Sequence, residues 1–228
     1  MITGASRGIG HATVKRFSDA GWQVLTCSRE TVTEESRGDP NWTHHIPTDL
    51  ADPASIDAFI DAINDVLGDG GLNALVNNAA QSPKTTYRER LGCLNGPLEG
   101  WRDVFELNFF AALTLSRGFA SALNRRQGAI VNITSIAGHA THPFAGSAYS
   151  ISKAALSALT REMAVEFAEL DVRVNAVAPG EIATEMIGEE YESLIPRIPL
   201  NRMGTAGEVA SVVYQLCDSD FSYVTGTE

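Results

Sequence analysis

Residues 3–10 read TGASRGIG, with Gly4, Gly8 and Gly10 leading straight into an amphipathic stretch over 8–20. Glycine tolerates positive φ and a tight turn, and it lets a backbone come close to a pyrophosphate. A helix that starts there presents unpaired N–H groups and the favourable end of its dipole to an anion. The spacing is G-x-x-x-G-x-G, not the commoner G-x-G-x-x-G. In isolation the stretch also fits a plain strand-to-helix turn. Its setting favours a phosphate loop, because it opens an alternating chain and a strand-like run, 23–28, follows at the right distance.

The alternation continues to the end. QVLTCS (23–28), HHIPTDL (44–50), NALVNNA (73–79), GAIVNITS (128–135) and DVRVNAVAP (171–179) read as strands. Several are apolar throughout, as in a parallel sheet buried on both faces. Helical patterns occupy 8–20, 53–67, 99–124, 147–169 and 206–218, and Asp52-Pro53 is a start signal for the second. The expected fold is α/β: one Rossmann-type domain over 1–228, a doubly wound parallel sheet with helices on both faces. The polar, Gly/Pro-punctuated stretch 80–98 reads as a surface loop. Only Met1, Ile2 and Thr3 precede Gly4, where a first strand belongs, and the closing VTGTE (224–228) reads as the entry to a further strand. The chain therefore reads as trimmed at both ends.

The 228 residues carry a formal net charge of −11, are 44% hydrophobic and 20% charged, and so describe a globular domain. That charge argues against nucleic acid as the main partner, since a phosphate backbone wants a basic face. Cys27, Cys93 and Cys217 are odd in number and lack disulfide or metal spacing, and His44-His45 has no partner cluster, so no metal is expected. No apolar run reaches the length of a bilayer span, and the N-terminal residues do not read as a secretory signal. A cytoplasmic protein without membrane partners is expected.

Chemistry-bearing residues gather at strand ends. After the second strand stand Ser28 and Arg29, with Arg7 in the glycine loop. Two guanidinium groups suit a ribose 2′-phosphate, so NADP(H) is favoured over NAD(H), with Glu30 as the residue that would instead hold a free ribose. Tyr149 and Lys153 stand one helical turn apart on one helix face. A free tyrosine titrates near 10, and a neighbouring ammonium lowers that value. Alone, the pair is equally well a half-buried tyrosine beside a snorkelling lysine. Ser135, the run NNAA (77–80) and Pro179-Gly180 end three other strands at the same edge, where ligands bind in open α/β sheets.

Taken together, TGASRGIG, Asp49-Leu50, NNAA, Asn108 in FELNFF, Ser135 in NITS, YSISK (149–153) and PGEIAT (179–184) resemble the short-chain dehydrogenase/reductase family, over essentially the whole chain. Ala80 stands where that family more usually has glycine. The resemblance implies an oxidoreductase that interconverts a small-molecule carbonyl and a secondary alcohol. Tyr149 would be the general acid/base, Lys153 would lower its pKa and hold the nicotinamide ribose, Ser135 would donate to the substrate oxygen, and Asn108 would hold a water. Gly4, Ser6, Arg7, Ile9 and Gly10, around Gly8, would cradle the phosphates. Asp49 and Leu50 would flank the adenine, Asn77 and Ala79 the adenosine ribose, and Ile182 and Thr184, after Pro179 and Gly180, the carboxamide. A homo-oligomer, dimer or tetramer, is implied, through helices 99–124 and 147–169. The competing reading is a non-catalytic NADP-binding sensor or scaffold on the same fold; a sugar-nucleotide epimerase would need a larger lobe after residue 180. Phe144, Met186, Ile187 and Tyr191 read equally as pocket walls or as a lid packed on the core. His139 and His142, just after Ser135, read as substrate contacts or, more commonly for loop histidines, as solvated, and Glu181, Glu185, Glu189 and Glu190 as a bias toward a neutral or cationic substrate or as a solvated group.

Overall fold

The computed structural model describes residues 1–30, 39–85, 89–185 and 188–228, apart from the Glu189 side chain. Met186 and Ile187 therefore lie outside the described residues. Six parallel strands form one sheet: β1 (Ile2–Thr3), β2 (Val24–Ser28), β3 (Trp42–Pro47), β4 (Ala74–Asn77), β5 (Ala129–Ile133) and β6 (Arg173–Val177). Their order is β3-β2-β1-β4-β5-β6, so the winding reverses between β1 and β4. A crevice opens at the carboxyl ends of the strands at such a reversal. β2, β4 and β5 are buried at every residue, as continuous apolar runs require. Beyond β6, Gly226 N donates to Val174 O and Ala176 N donates to Thr227 O, both at 2.8 Å, so residues 225–227 run along the edge of the sheet.

Adjacent strand residues face opposite layers, which splits the core in two. Ile130 packs with Phe59, Ile63, Leu115 and Phe119 on one side. Val131 packs with Val14, Phe17, Val76 and Val213 on the other. The helices that cover these faces are α1 (Gly8–Asp19), α2 (Pro53–Leu67), α3 (Leu98–Phe105), α4 (Ala111–Gly118), α5 (Ala120–Asn124), α6 (Ser147–Glu166) and α7 (Ala206–Cys217). α2 starts as its sequence signal demands: Asp52 accepts from Ala54 N, with Pro53 at the first helical position. α7 begins with a capping box between Thr205 and Glu208.

Two features differ from the sequence expectation. The single helix expected over 99–124 is α3, a π-turn over Glu106–Phe110, α4 and α5. The π-turn carries the buried Asn108, and Gly118 ends α4 where a Cβ would meet Ile60 of α2 at 2.5 Å. Second, β7 (Ile182–Ala183) and β8 (Gly204–Thr205) form a separate parallel pair, with a 3₁₀ stretch, Glu189–Arg197, between them. Among the described residues no helix is long and apolar enough to cross a membrane.

Candidate active site

The glycine loop is set by contacts between the ends of β1 and β4. Thr3 Oγ1 accepts from Asn78 N (2.9 Å) and Ala79 N (3.0 Å), while Asn78 Nδ2 donates to Thr3 O (2.9 Å) and Gly4 O (3.3 Å). Gly4 and Gly8 both take positive φ, +66° and +58°. A Cβ on Gly10 would lie 2.1 Å from Gly4 O, so α1 folds back onto the loop only because that position is bare. Arg7 is the N-cap of α1 and makes no side-chain cap bond, which leaves the first turn to bind something else.

A cleft of about 260 Å³ runs along this edge. Gly4, Ser6, Arg7, Gly8 and Ile9 line its middle, together with Ala79. Ser28, Arg29, Asp49 and Leu50 line it on the β2 side; Ser135, Tyr149 and Lys153 line it on the β5 side. Pro179, Gly180, Ile182 and Thr184 line it after β6. Bare loop glycines, an uncapped helix start and Arg7 form a donor set suited to a pyrophosphate, with room for a ribose on either side. These residues fit a nicotinamide dinucleotide.

Three expected residues take other places. Asn77 does not line the cleft: it turns into the core, where Nδ2 donates to Asn132 Oδ1 (2.9 Å) and Ser116 Oγ (3.3 Å). Its neighbour Asn78 faces the cleft instead, because side chains alternate along the strand. Gly10 lies beneath the loop and not on the cleft wall. Asn108 is buried and off that wall as well. Its amide hydrogens go to Gln81 O (3.0 Å) and Ser152 Oγ (3.0 Å), its oxygen accepts from Gln81 N (2.9 Å), and Ser152 Oγ donates to Tyr149 O (2.7 Å). Asn108 thus ties the loop at 80–98 to the helix turn that bears Tyr149.

Lys153 is 2% exposed, and its Nζ donates to Ile133 O at 2.6 Å. Nζ lies 5.8 Å from the centre of the Tyr149 ring. Burial lowers the Lys153 ammonium to about 7. Burial also raises the Tyr149 phenol above its usual value; the neighbouring Ser135 hydroxyl pulls it down and the Glu181 charge pushes it up again. The lowering of Tyr149 expected from Lys153 is not what the chain itself shows: burial sets the direction, upward, and the ammonium stands off the ring and is itself desolvated. Ser135 Oγ accepts from Ala137 N (3.1 Å), and its hydroxyl faces the Tyr149 phenol at the cleft wall.

The family model described as enoyl-(acyl carrier protein) reductase matches residues 4–228. Protein FixR of Bradyrhizobium diazoefficiens is 46% identical over 230 residues, covering 100% of this chain and 83% of that protein. An oxidoreductase of the short-chain dehydrogenase/reductase family from Brucella ovis, solved with a partially ordered NAD, superposes with a TM-score of 0.85 at 48% identity, covering 99% of this chain and 95% of that one.

This chain belongs to the short-chain dehydrogenase/reductase family.

It is accordingly an NAD(P)-dependent oxidoreductase acting on CH–OH and carbonyl groups. A 3-oxoacyl-(acyl carrier protein) reductase from Brucella melitensis with bound NAD is another member with this fold, at a TM-score of 0.89 and 31% identity, covering 99% of this chain and 86% of that one. Thr48 and Asn78 line the dehydrogenase cleft without having been singled out in the sequence, and Lys84 and Arg90 line it from the stretch 81–98. Asn78 was within reach, as half of an Asn-Asn pair at a strand end. Lys84 and Arg90 sit in an irregular loop with no periodic signal.

The Lys153 environment has a measurable consequence. Unfolded, its ammonium keeps its proton up to about 10.5; folded, it releases it at about 7. The unfolded chain therefore binds more protons in between, and stability rises with pH by up to about 1.4 kcal/mol per unit from this group. Lys153→Met should remove this group's share of the rise between pH 7 and 8. The buried Met1 amine, lowered from 8.0 to about 5, adds a rise of the same sense in both proteins, and this window lies below the range where Tyr149, Cys27 and Cys217 act in the opposite sense. Urea midpoints at the two pH values read it, and an identical slope in the variant would contradict the assignment.

Proposed function

We propose that this enzyme interconverts a ketone or aldehyde and a secondary alcohol with NADP(H), using Tyr149 as general acid/base. The observation that carries the reading is the convergence of the Tyr149 phenol, the Ser135 hydroxyl and the buried Lys153 at the β5 side of one cleft. Bound there, the nicotinamide supplies or accepts the hydride. In reduction, Tyr149 gives its proton to the carbonyl oxygen as that oxygen becomes an alcohol. Ser135 donates a hydrogen bond to the same oxygen and stabilises the charge that develops on it. Lys153 holds a ribose hydroxyl and, when protonated, favours the phenolate left behind. Asn108 acts through Ser152, keeping the Tyr149 turn in place. The glycine loop and the start of α1 would hold the phosphates, and Asp49 and Leu50 would flank the adenine. Ile182 and Thr184 lie where they would hold the carboxamide.

NADP(H) is preferred because Arg29 is exposed on the cleft rim with no acidic partner among the described residues, while Arg7 makes only a long, exposed pair with Glu185 at 3.8 Å. Both guanidinium groups are available to a 2′-phosphate. The outer face of α6 and the turn between α3 and α4 leave Ile151 (46%), Val165 (73%) and Phe110 (45%) exposed, which supports assembly into a dimer or tetramer.

Tyr149→Phe should lower kcat for ketone reduction by about 10²–10⁴-fold while cofactor affinity holds. Stopped assays of NADPH absorbance and a fluorescence titration separate the two, and full turnover in the variant ends the mechanism. NADPH should bind at least about tenfold more tightly than NADH, and Arg29→Ala should remove most of that margin. Equal affinity for the two cofactors would instead assign the ribose to Glu30. Light scattering after size exclusion should give a dimer or tetramer mass; a clean monomer refutes the assembly.

A further inference from the structure

The substrate end of the cleft contains a pair that the mechanism above does not use. His142 Nε2 and Glu181 Oε1 are 2.8 Å apart, and each side chain is only 10% exposed. His142 Nδ1 accepts from Ala145 N (3.0 Å) and Phe144 N (3.2 Å). Two N–H groups aimed at Nδ1 leave the ring proton on Nε2, so the imidazole donates to Glu181 and fixes its orientation. Arg90 Nη1 donates to His142 O at 2.9 Å and holds the loop from behind. Glu181 Oε2 has no hydrogen-bond partner among the described residues. A mostly buried carboxylate with one oxygen anchored and the other free is a strong acceptor facing a binding space. Glu181 lines the same cleft as Tyr149, and its charge acts on that phenol.

The surroundings narrow what that oxygen accepts from. Tyr191 stacks on His142, centroids 5.6 Å apart at 27°, and Phe144 lies 5.1 Å from Tyr191. These rings give the pocket a flat apolar wall beside the carboxylate. Charges at this end balance: Lys84 pairs with Glu190 at 2.8 Å, and Arg90, on the same cleft wall as Glu181, is opposite to it in sign. The free carboxylate oxygen repels an anionic substrate, and because these cations and carboxylates are equal in number, a cationic substrate gains no net attraction over a neutral one. A neutral molecule with hydroxyl groups next to its carbonyl satisfies all three constraints. Its hydroxyl donates to Glu181, and its C–H face lies on the aromatic wall.

We propose that Glu181, oriented by His142, is the specificity-determining residue of this enzyme and selects a neutral polyhydroxylated ketone, or the matching polyol, by accepting a hydrogen bond from the hydroxyl adjacent to the reacting carbon. His142 is a positioning residue that acts through Glu181. The inference rests on the oxidoreductase reading given above, and its test separates the two.

Four-carbon ketones of equal length provide the test: erythrulose, 2-butanone, 2-oxobutanoate and 1-amino-2-butanone. Erythrulose should exceed each of the others in kcat/KM by more than about tenfold, because a site built to accept a hydroxyl is left unpaired without one. Glu181→Gln should cut the erythrulose to 2-butanone ratio by about tenfold or more, mostly through KM. An unchanged ratio in that variant, or a wild-type preference for the oxo acid or the amino ketone, overturns the proposal. Binding is read separately from turnover, by saturation-transfer NMR of erythritol with the NADP⁺-loaded protein. If no ketone is reduced but erythritol binds and Glu181→Gln weakens it, the Tyr149 mechanism fails and the Glu181 assignment stands. If no ketone is reduced and erythritol either does not bind or binds the variant equally, the Glu181 assignment falls. Because the wild-type panel and wild-type binding need no variant, a Glu181→Gln protein that fails to fold does not rescue the idea.

Discussion

The hydrogen bonds between the ends of β1 and β4 are the constraint on which the site is built. Asn78 reaches across to the carbonyls of Thr3 and Gly4, and Thr3 returns its hydroxyl oxygen to Asn78 N and Ala79 N. The effect is to hold the loop open at the one point where the strand order reverses. Without that bracing the three glycines would have many accessible conformations and no reason to choose the anion-binding one. Gly10 completes the arrangement, since α1 can approach Gly4 O only where no Cβ intervenes.

Farther along the edge the governing influence is desolvation. Lys153 is among the largest fully buried side chains, and a carbonyl, not a carboxylate, receives its proton. A buried ammonium without a counter-ion is costly, which is why its pKa falls to about 7. The same dryness raises the phenol of Tyr149. The two groups thus move apart in proton affinity: in the chain itself the phenol holds its proton more tightly and the ammonium releases its own more readily.

Sheet strands were legible because parallel strands buried on both faces leave unbroken apolar runs, and α2 was legible to the residue because Asp52-Pro53 marks its start. The helix over 99–124 was not, because a π-turn adds a single residue and leaves the apolar pattern nearly intact on both sides of Asn108. At Asn77-Asn78 two identical residues carry no parity, so the sequence does not say which one faces the crevice. The His142–Glu181 contact was invisible for a different reason: 39 positions separate the partners, and only the packing of the β5 loop against the β6 loop brings them together. The strands β7 and β8 are two residues each, too short for any periodicity to register.

Those two short strands have an effect out of proportion to their size. Ile182 pairs with Gly204 and Ala183 with Thr205, next to the capped start of α7. The chain between them leaves and re-enters the domain at neighbouring points, like a cassette clipped in at both ends. It carries Tyr191 onto His142 and Glu190 onto Lys84, so much of the substrate wall comes from this one insertion. A fold with that architecture can acquire new substrates by rewriting one segment while its redox machinery is inherited unchanged.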